Sequence, residues 1–260
     1  DWPTFRDCDD CPEMVVIAPG TFLFGRGADR VGSGRHPMVQ VTIDRPYALG
    51  RYEITIGEWN LCVAAGRCDD VEDDLRPDPG PEYPRGLVGW RGANEYAAWL
   101  SEVTGQSYGL PSATEWEWAV RNDQPHRWSW GERPTDARAN LGLDEIIGIV
   151  PVGRYPPNIN GLHDVDGNVS EFVLDCYTED DSLIPTDGSP YMPETCKDRV
   201  TMGRHYWGTP MESLGLIGWH GFWTGLNDGN SRGAIGFRLA RELTDEEVAA
   251  LPTFYRIGEP

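Results

Sequence analysis

Gly109-Leu110-Pro111-Ser112-Ala113-Thr114-Glu115-Trp116-Glu117-Trp118-Ala119 is the stretch on which the reading of this chain turns. Ser112 is a residue that starts helices, and Glu115 stands three positions later. Together they make a capping box, with a helix running on through Trp116-Glu117-Trp118-Ala119-Val120.

Upstream of it, residues 90 to 100 have helical spacing, with Trp90, Ala93, Ala97 and Leu100 on one face. Thr55 caps a further helix through Gly57-Glu58-Trp59-Asn60-Leu61-Cys62, ending near Gly66. Val39-Gln40-Val41-Thr42-Ile43 alternates with period two, a half-buried strand. Met14-Val15-Val16-Ile17-Ala18-Pro19-Gly20 is a short apolar run closed by a Pro-Gly turn, and Thr21-Phe22-Leu23-Phe24-Gly25 follows, so a hairpin is expected over 14–25. Downstream of residue 122 the chain reads as loops and short strands as far as Gly236-Phe237-Arg238-Leu239. Thr244 caps a last helix over Asp245 to Leu251, with acids on the first turn where the helix dipole favours them, and Pro252 to Pro260 looks extended. There is no internal repeat.

Composition agrees with an irregular, loop-rich α+β domain of low regular secondary structure. With 31 Gly, 21 Pro and 11 Trp in 260 residues, turns and bulky aromatics are both abundant. The formal charge of −20 repels phosphate backbones, which argues against nucleic acid as a partner. No run approaches the roughly 18 apolar residues of a membrane span. Asp1-Trp2-Pro3-Thr4 does not read as a signal peptide. Six cysteines fall in close pairs, Cys8 with Cys11, Cys62 with Cys68 and Cys176 with Cys196, which fits three disulfides and an oxidising compartment, periplasmic or secreted. For Cys8-Asp9-Asp10-Cys11, half of a zinc site or a redox motif is the rival reading, although no second close-spaced Cys or His pair completes four ligands.

Several separated segments resemble the formylglycine-generating-enzyme (sulfatase-modifying factor) superfamily. They are Glu13-Met14-Val15-Val16-Ile17 with Gly20-Thr21-Phe22, Tyr52-Glu53-Ile54-Thr55, the 109–119 stretch, Trp130-Gly131, Gly161-Leu162-His163-Asp164-Val165-Asp166-Gly167-Asn168-Val169-Ser170-Glu171-Phe172, and Gly236-Phe237-Arg238. They stand in the family's order over about residues 12 to 240. The resemblance implies a C-type-lectin-like fold over 1–241, with 242–260 as a C-terminal extension.

It also implies structural calcium. Asn140, Leu141, Asp144 and Ile146 resemble the family's first site, and Gly167, Asn168, Val169 and Glu171 its second. Calcium takes six to eight oxygens at flexible geometry, so loop carbonyls plus carboxylates suit it; the same residues also fill ordinary turns. The Cys176–Cys196 pair flanks Thr186-Asp187-Gly188-Ser189, a segment that many secreted members share, and looks like a disulfide on that ground.

The resemblance departs at the site of chemistry. Formylglycine-generating enzymes bind copper through two cysteines, and the matching stretch here, Met202 to Ser213, places Gly208 and Ser213 at those positions. Neither residue ligates Cu(I), which prefers thiolates. Copper is therefore not expected, nor is the formylglycine-generating oxidase mechanism. The iron of the sulfoxide-synthase branch is not expected either, because the five histidines are scattered. What fills the segment is Arg204, His205, Tyr206 and Trp207, then Trp219, His220 and Trp223, then Asn227, Asp228 and Arg232: aromatic walls with a few polar groups, the composition of a ligand or partner pocket. His205 and His220 are the candidate acid–base residues. The alternative is that the tryptophans fill a loop-rich core. The chain is thus expected to be a non-catalytic, calcium-stabilised binding or accessory protein of an extracytoplasmic assembly, with a protein partner or small ligand. The alternative is a periplasmic oxidoreductase of the pyoverdine-maturation type, which likewise lacks the copper cysteines.

Overall fold

The computed structural model describes residues 2–25, 38–71, 79–121, 128–131, 135, 137–142, 148–178, 180–206, 221–224 and 235–257, with only the backbone of 181, 221–224 and 257. Its strands are β1 (Thr4–Phe5), β2 (Met14–Ile17), β3 (Gly20–Phe24), β4 (Val39–Ile43), β5 (Tyr47–Gly50), β6 (Tyr108–Gly109), β7 (Ser170–Cys176), β8 (Asp198–Met202), β9 (Gly221–Thr224), β10 (Ile235–Gly236) and β11 (Ala240–Glu242). The helices are α1 (Ile56–Ala64), α2 (Trp90–Thr104), α3 (Ala113–Arg121), α4 (Asp245–Ala250) and α5 (Thr253–Ile257). Elements are short and the connections long, as the Gly and Pro content demands.

Strands assemble in the orders β1-β2-β5-β11-β6, β10-β7-β8-β9 and β3-β4. Only β10 and β7 run parallel among these pairs. β2 shows why the first sheet lies inside the molecule. All four of its side chains are buried. Met14 and Val16 enter one apolar cluster with Trp59, Tyr96 and Phe237, and Val15 and Ile17 enter a second with Phe22, Trp116 and Val173. The period-two pleat sends alternate residues to opposite faces, so one strand serves both cores.

The expected helices form. Thr55 accepts from the Glu58 N–H while the Glu58 side chain receives the Thr55 N–H, a complete capping box. In α2 the buried face is Ala93, Tyr96, Ala97 and Leu100, with Trp90 half-buried. Ser112 and Glu115 cap α3 reciprocally, at 2.8 and 3.0 Å, and Asp175 of β7 accepts the Ala113 N–H at 2.7 Å.

Two local expectations are corrected. β2 and β3 are consecutive but form no hairpin: β2 pairs with β1 and β5, and β3 pairs with β4. The cause is long-range. The Trp118 ring lies on the Pro19-Gly20 corner, where a Cβ on Gly20 would come within 2.2 Å of it, and its Nε1 donates to Ala18 O at 2.8 Å. The corner therefore bends the chain from one sheet into another. Pro252 to Pro260 was expected to be extended, yet Thr253–Ile257 is helical. Pro252 needs no donor at a helix start, and its carbonyl accepts the Tyr255 N–H.

All three disulfides form, Cys8–Cys11, Cys62–Cys68 and Cys176–Cys196, and no cysteine is free. No helix among the described residues is long and apolar enough to cross a membrane.

Candidate functional site

The centre of the molecule is polar. Arg238, between β10 and β11, is fully buried. Its Nε and Nη2 donate to the two carboxylate oxygens of Glu171 at 2.6 Å each, Nη1 donates to Gly50 O at 2.9 Å, and Nη2 also donates to His163 O at 2.9 Å. Trp116 Nε1 adds a bond to Glu171 at 2.7 Å. Glu53 lies in the same region and accepts from Asn168 Nδ2 at 2.9 Å and from the Val169 N–H at 3.3 Å. Burial pushes its carboxyl well above the usual range, and the charges of Asp164 and Glu171 add to that. Asp164 is itself pushed up to about 6 by burial. The 161–172 stretch winds around this centre because Asp164 and Asn168 adopt left-handed conformations, φ 57° and 60°, which Asp and Asn tolerate better than most residues.

Above the polar centre, β8 ends in Gly203-Arg204-His205-Tyr206. Gly203 has φ +71° and packs on the Trp116 ring, which turns the chain out of the sheet. A backbone relay then pins the exit: Asn168 N–H donates to Asn140 O at 3.0 Å, and Tyr206 N–H donates to Asn168 O at 3.0 Å. Gly142 is required beside it, since a Cβ there would approach the Tyr206 carbonyl to 2.1 Å. Trp128 and Trp130 stack at 5.4 Å between centroids, and Trp128 clusters with Ala139 and Leu141. Asp166 ties that pair down by accepting the Ser129 N–H at 2.9 Å, and burial pushes its carboxyl up to about 6.

Arg204, His205 and Tyr206 are half-buried at this exit. Burial lowers the pKa of His205, and the neighbouring Arg204 charge lowers it further, so the imidazole is neutral at neutral pH and able to take a proton. Burial also lowers the Arg204 pKa, although a guanidinium remains cationic. Of the other expected pocket residues, Trp207, Trp219, His220, Asn227, Asp228 and Arg232 lie outside the described residues, as do Gly208 and Ser213. Trp223 is in β9 opposite Arg199, with its side chain outside them. Sequence reasoning overlooked Glu53, Asp166 and Gly142 as site-builders. For Glu53 the signal was an acid set between aromatic and aliphatic neighbours.

The two expected calcium sets fare differently. Asn140 Oδ1 is buried, and no described residue donates to it, while Asn140 Nδ2 donates to Gly148 O at 2.8 Å. An orphaned buried carbonyl oxygen next to the Leu141 backbone suits a hard cation. Asp144 and Ile146, the rest of that set, lie outside the described residues. In the second set the side-chain oxygens are spoken for. Both Glu171 oxygens are held by Arg238 and Trp116, and Asn168 Oδ1 accepts the Val150 N–H at 2.9 Å. Gly167 and Val169 flank Asn168 in the same loop, the Val169 N–H being held by Glu53. The Glu171 and Asn168 side chains have no oxygen left over for a cation in this arrangement.

A family model described as the sulfatase-modifying factor enzyme 1-like domain matches residues 3–243. The chain belongs to that family. The formylglycine-generating enzyme of Bos taurus is 31% identical over 140 residues, covering 48% of this chain and 36% of the relative. That of Thermomonospora curvata is 33% identical over 141 residues, covering 47% and 44% respectively. The chain thus spans less than half the length of these curated relatives. Among solved structures, PvdO from Pseudomonas aeruginosa is 33% identical with a TM-score of 0.82, covering 93% of this chain and 98% of that one. Treponema denticola variable protein 1, at 19% identity and TM-score 0.73, shares the fold alone.

Proposed function

We propose that this protein works in an extracytoplasmic, oxidising compartment as a maturation oxidoreductase of the pyoverdine type, acting on a small aromatic siderophore precursor at the exit of β8. One observation carries the choice over a formylglycine-generating role. The likeness to PvdO, at 33% identity and a TM-score of 0.82, runs through 93% of this chain and 98% of that one. The three disulfides favour the compartment. His205, held neutral, takes a proton from the substrate, and Arg204 steadies the anion that forms. The substrate loses two electrons and two protons to dioxygen, which leaves as hydrogen peroxide. Calcium at Asn140, Leu141, Asp144 and Ile146 would be structural in this reading.

The second reading is a non-catalytic binding or accessory protein. Gly208 and Ser213, where the family's copper ligands stand, favour it. Incubation with a non-fluorescent siderophore precursor separates the two. An enzyme produces fluorescence with stoichiometric peroxide, and His205→Ala lowers kcat/KM by about 10²- to 10⁴-fold, the usual contribution of a general base. Saturable binding without turnover by the wild type would sink the enzymatic reading and leave the accessory one.

A further inference from the structure

A concavity of about 620 Å³ is lined by none of the β8-exit residues Arg204, His205 and Tyr206 and falls inside the roughly 300–1,000 Å³ range of small-molecule sites. Its β7 wall residue is Leu174, toward the end of β7 where Cys176 lies opposite Arg199; Arg204 follows Met202, which lies opposite Glu171 at the other end. The remaining walls are the β4–β5 corner, β6, β11, the start of α3 and the 187–190 loop. The last of these belongs to Thr186-Asp187-Gly188-Ser189, inside the Cys176–Cys196 loop, which the β8 site does not use.

The walls are preformed. Ser112 Oγ donates to Gly188 O at 2.7 Å, and the Thr42 N–H donates to Thr186 O at 2.9 Å. Asp187 Oδ1 accepts from the Ser189 N–H at 3.0 Å and from its hydroxyl at 2.6 Å. Tyr47 OH donates to Glu115 O at 2.6 Å. At the lip, Arg45 Nη2 donates to Leu243 O at 2.9 Å and to Asp245 at 2.6 Å, so the C-terminal extension is fastened to the rim.

The lining combines an apolar surface (Ile43, Pro46, Leu110, Leu174, Pro190) with the carboxylates of Asp44, Glu115, Asp187 and Glu242. None of the four acids forms an ion pair among the described residues. The two lining arginines are already neutralised: Arg45 by Asp245, and Arg241, fully buried, by Asp7 and Glu247. Burial pushes the Glu115 carboxyl up to about 7, and the charges of Asp175 and Glu242 contribute. The acids are spread over separate walls; no three of the described His, Cys, Asp or Glu residues converge as metal ligands would. The negative charge therefore matches an extended organic cation better than a point ion.

We propose that this cleft is a ligand site for a linear polyamine, its methylenes on the apolar surface and its ammonium groups against Asp44, Asp187 and Glu242. The site does not depend on the activity assigned to the β8 exit. The test is isothermal titration of spermidine into the full chain at physiological salt. We expect one saturable site, weakened at least tenfold by Asp187→Asn/Glu242→Gln, with the thermal midpoint of the unliganded variant unchanged. Glu95→Gln/Glu102→Gln removes the same charge from the outer face of α2 and should leave affinity unchanged. Equal weakening by both double variants, or several weak sites indifferent to either, would assign the heat to the general field of an acidic surface and overturn the proposal. So would the absence of binding. The single variant Asp187→Asn, on an exposed loop, serves if the double variant folds poorly, and unchanged spermidine affinity there also refutes the site.

Discussion

Replacing Arg238 by Met tests the reading of the polar centre most sharply. Met keeps much of the apolar stem and removes the guanidinium. That strands the Glu171 carboxylate, 1% exposed, beside Glu53 and Asp164, and leaves the Gly50 and His163 carbonyls without the donors that reach them at 2.9 Å. Removing one partner of a buried pair costs about 3–5 kcal/mol, and each orphaned buried acceptor adds on the order of 1–3 kcal/mol before relaxation. Because these terms share one cavity they do not add fully, and we expect a loss of about 5 kcal/mol at pH 7. At roughly 2–4 °C per kcal/mol for a chain near this size, the thermal midpoint falls by about 10–20 °C. Glu171→Gln in the same background should restore part of the loss, since it removes the stranded charge. The deficit should also shrink toward pH 5. Without Arg238 the buried carboxylates hold protons more tightly when folded than when unfolded, so lowering the pH favours the folded variant. Scanning calorimetry and urea unfolding of wild type, single and double variants measure all of this. A single variant within about 1 kcal/mol of wild type, well under the roughly 3–5 kcal/mol of a broken buried pair, or a double variant worse than the single, would refute the picture of one cation holding a crowded anionic centre.

The wild type has a pH dependence of its own. Burial pushes Asp164, Asp166 and Asp175 up to about 6 and Glu115 to about 7. Between the ordinary carboxylate range near pH 4 and those values, the folded chain binds more protons than the unfolded one, so stability is greatest below that window and falls as pH rises through it. Glu247, held down to about 2 chiefly by Arg241, loses its contribution only below about pH 4.5, and His163 and His205, lowered by burial, act in the opposite sense below their usual range near 6.5 but are outnumbered by the four raised acids. The thermal midpoint should be higher at pH 5 than at 7.5, and the reverse order would count against these environments. Chelation by EDTA should lower the midpoint, calcium should restore it where magnesium does not, and Asn140→Ala should abolish the response; a wild type indifferent to chelation removes calcium from Asn140. Cys176→Ser/Cys196→Ser opens a bridge between residues 20 apart and should cost about 3 kcal/mol in urea unfolding, while a thiol titration of the denatured, unreduced wild type should find none.

Legibility followed the range of the interactions. Thr55 with Glu58, Ser112 with Glu115 and Thr244 with Glu247 each form their box within three residues, so a reader of the chain sees them. The 14–25 hairpin failed because Trp118, about a hundred positions away, decides the corner at Gly20. Arg238 and Glu171 stand 67 residues apart and their pairing leaves no periodic trace; each was visible only inside a family segment. Gly142 reads as a turn glycine until the Tyr206 carbonyl is found against it. His205 was legible as chemistry but not as an electrostatic state, because its neutrality comes from burial and from Arg204.

The backbone relay from Asn140 through Asn168 to Tyr206 has a thermodynamic corollary. Three irregular segments, none of them a strand there, are geared by two peptide hydrogen bonds and one glycine contact. A displacement of the 140–142 loop is therefore delivered to the residue adjoining His205 through hydrogen-bonded backbone rather than through adjustable side chains. Occupancy at one end and occupancy at the other become conjugate variables: whatever free energy a cation at Asn140 contributes to ordering the β8 exit, a ligand at that exit must return as an equal change in cation affinity. A calcium titration with and without that ligand reads the gearing directly, and from either end it must give the same number.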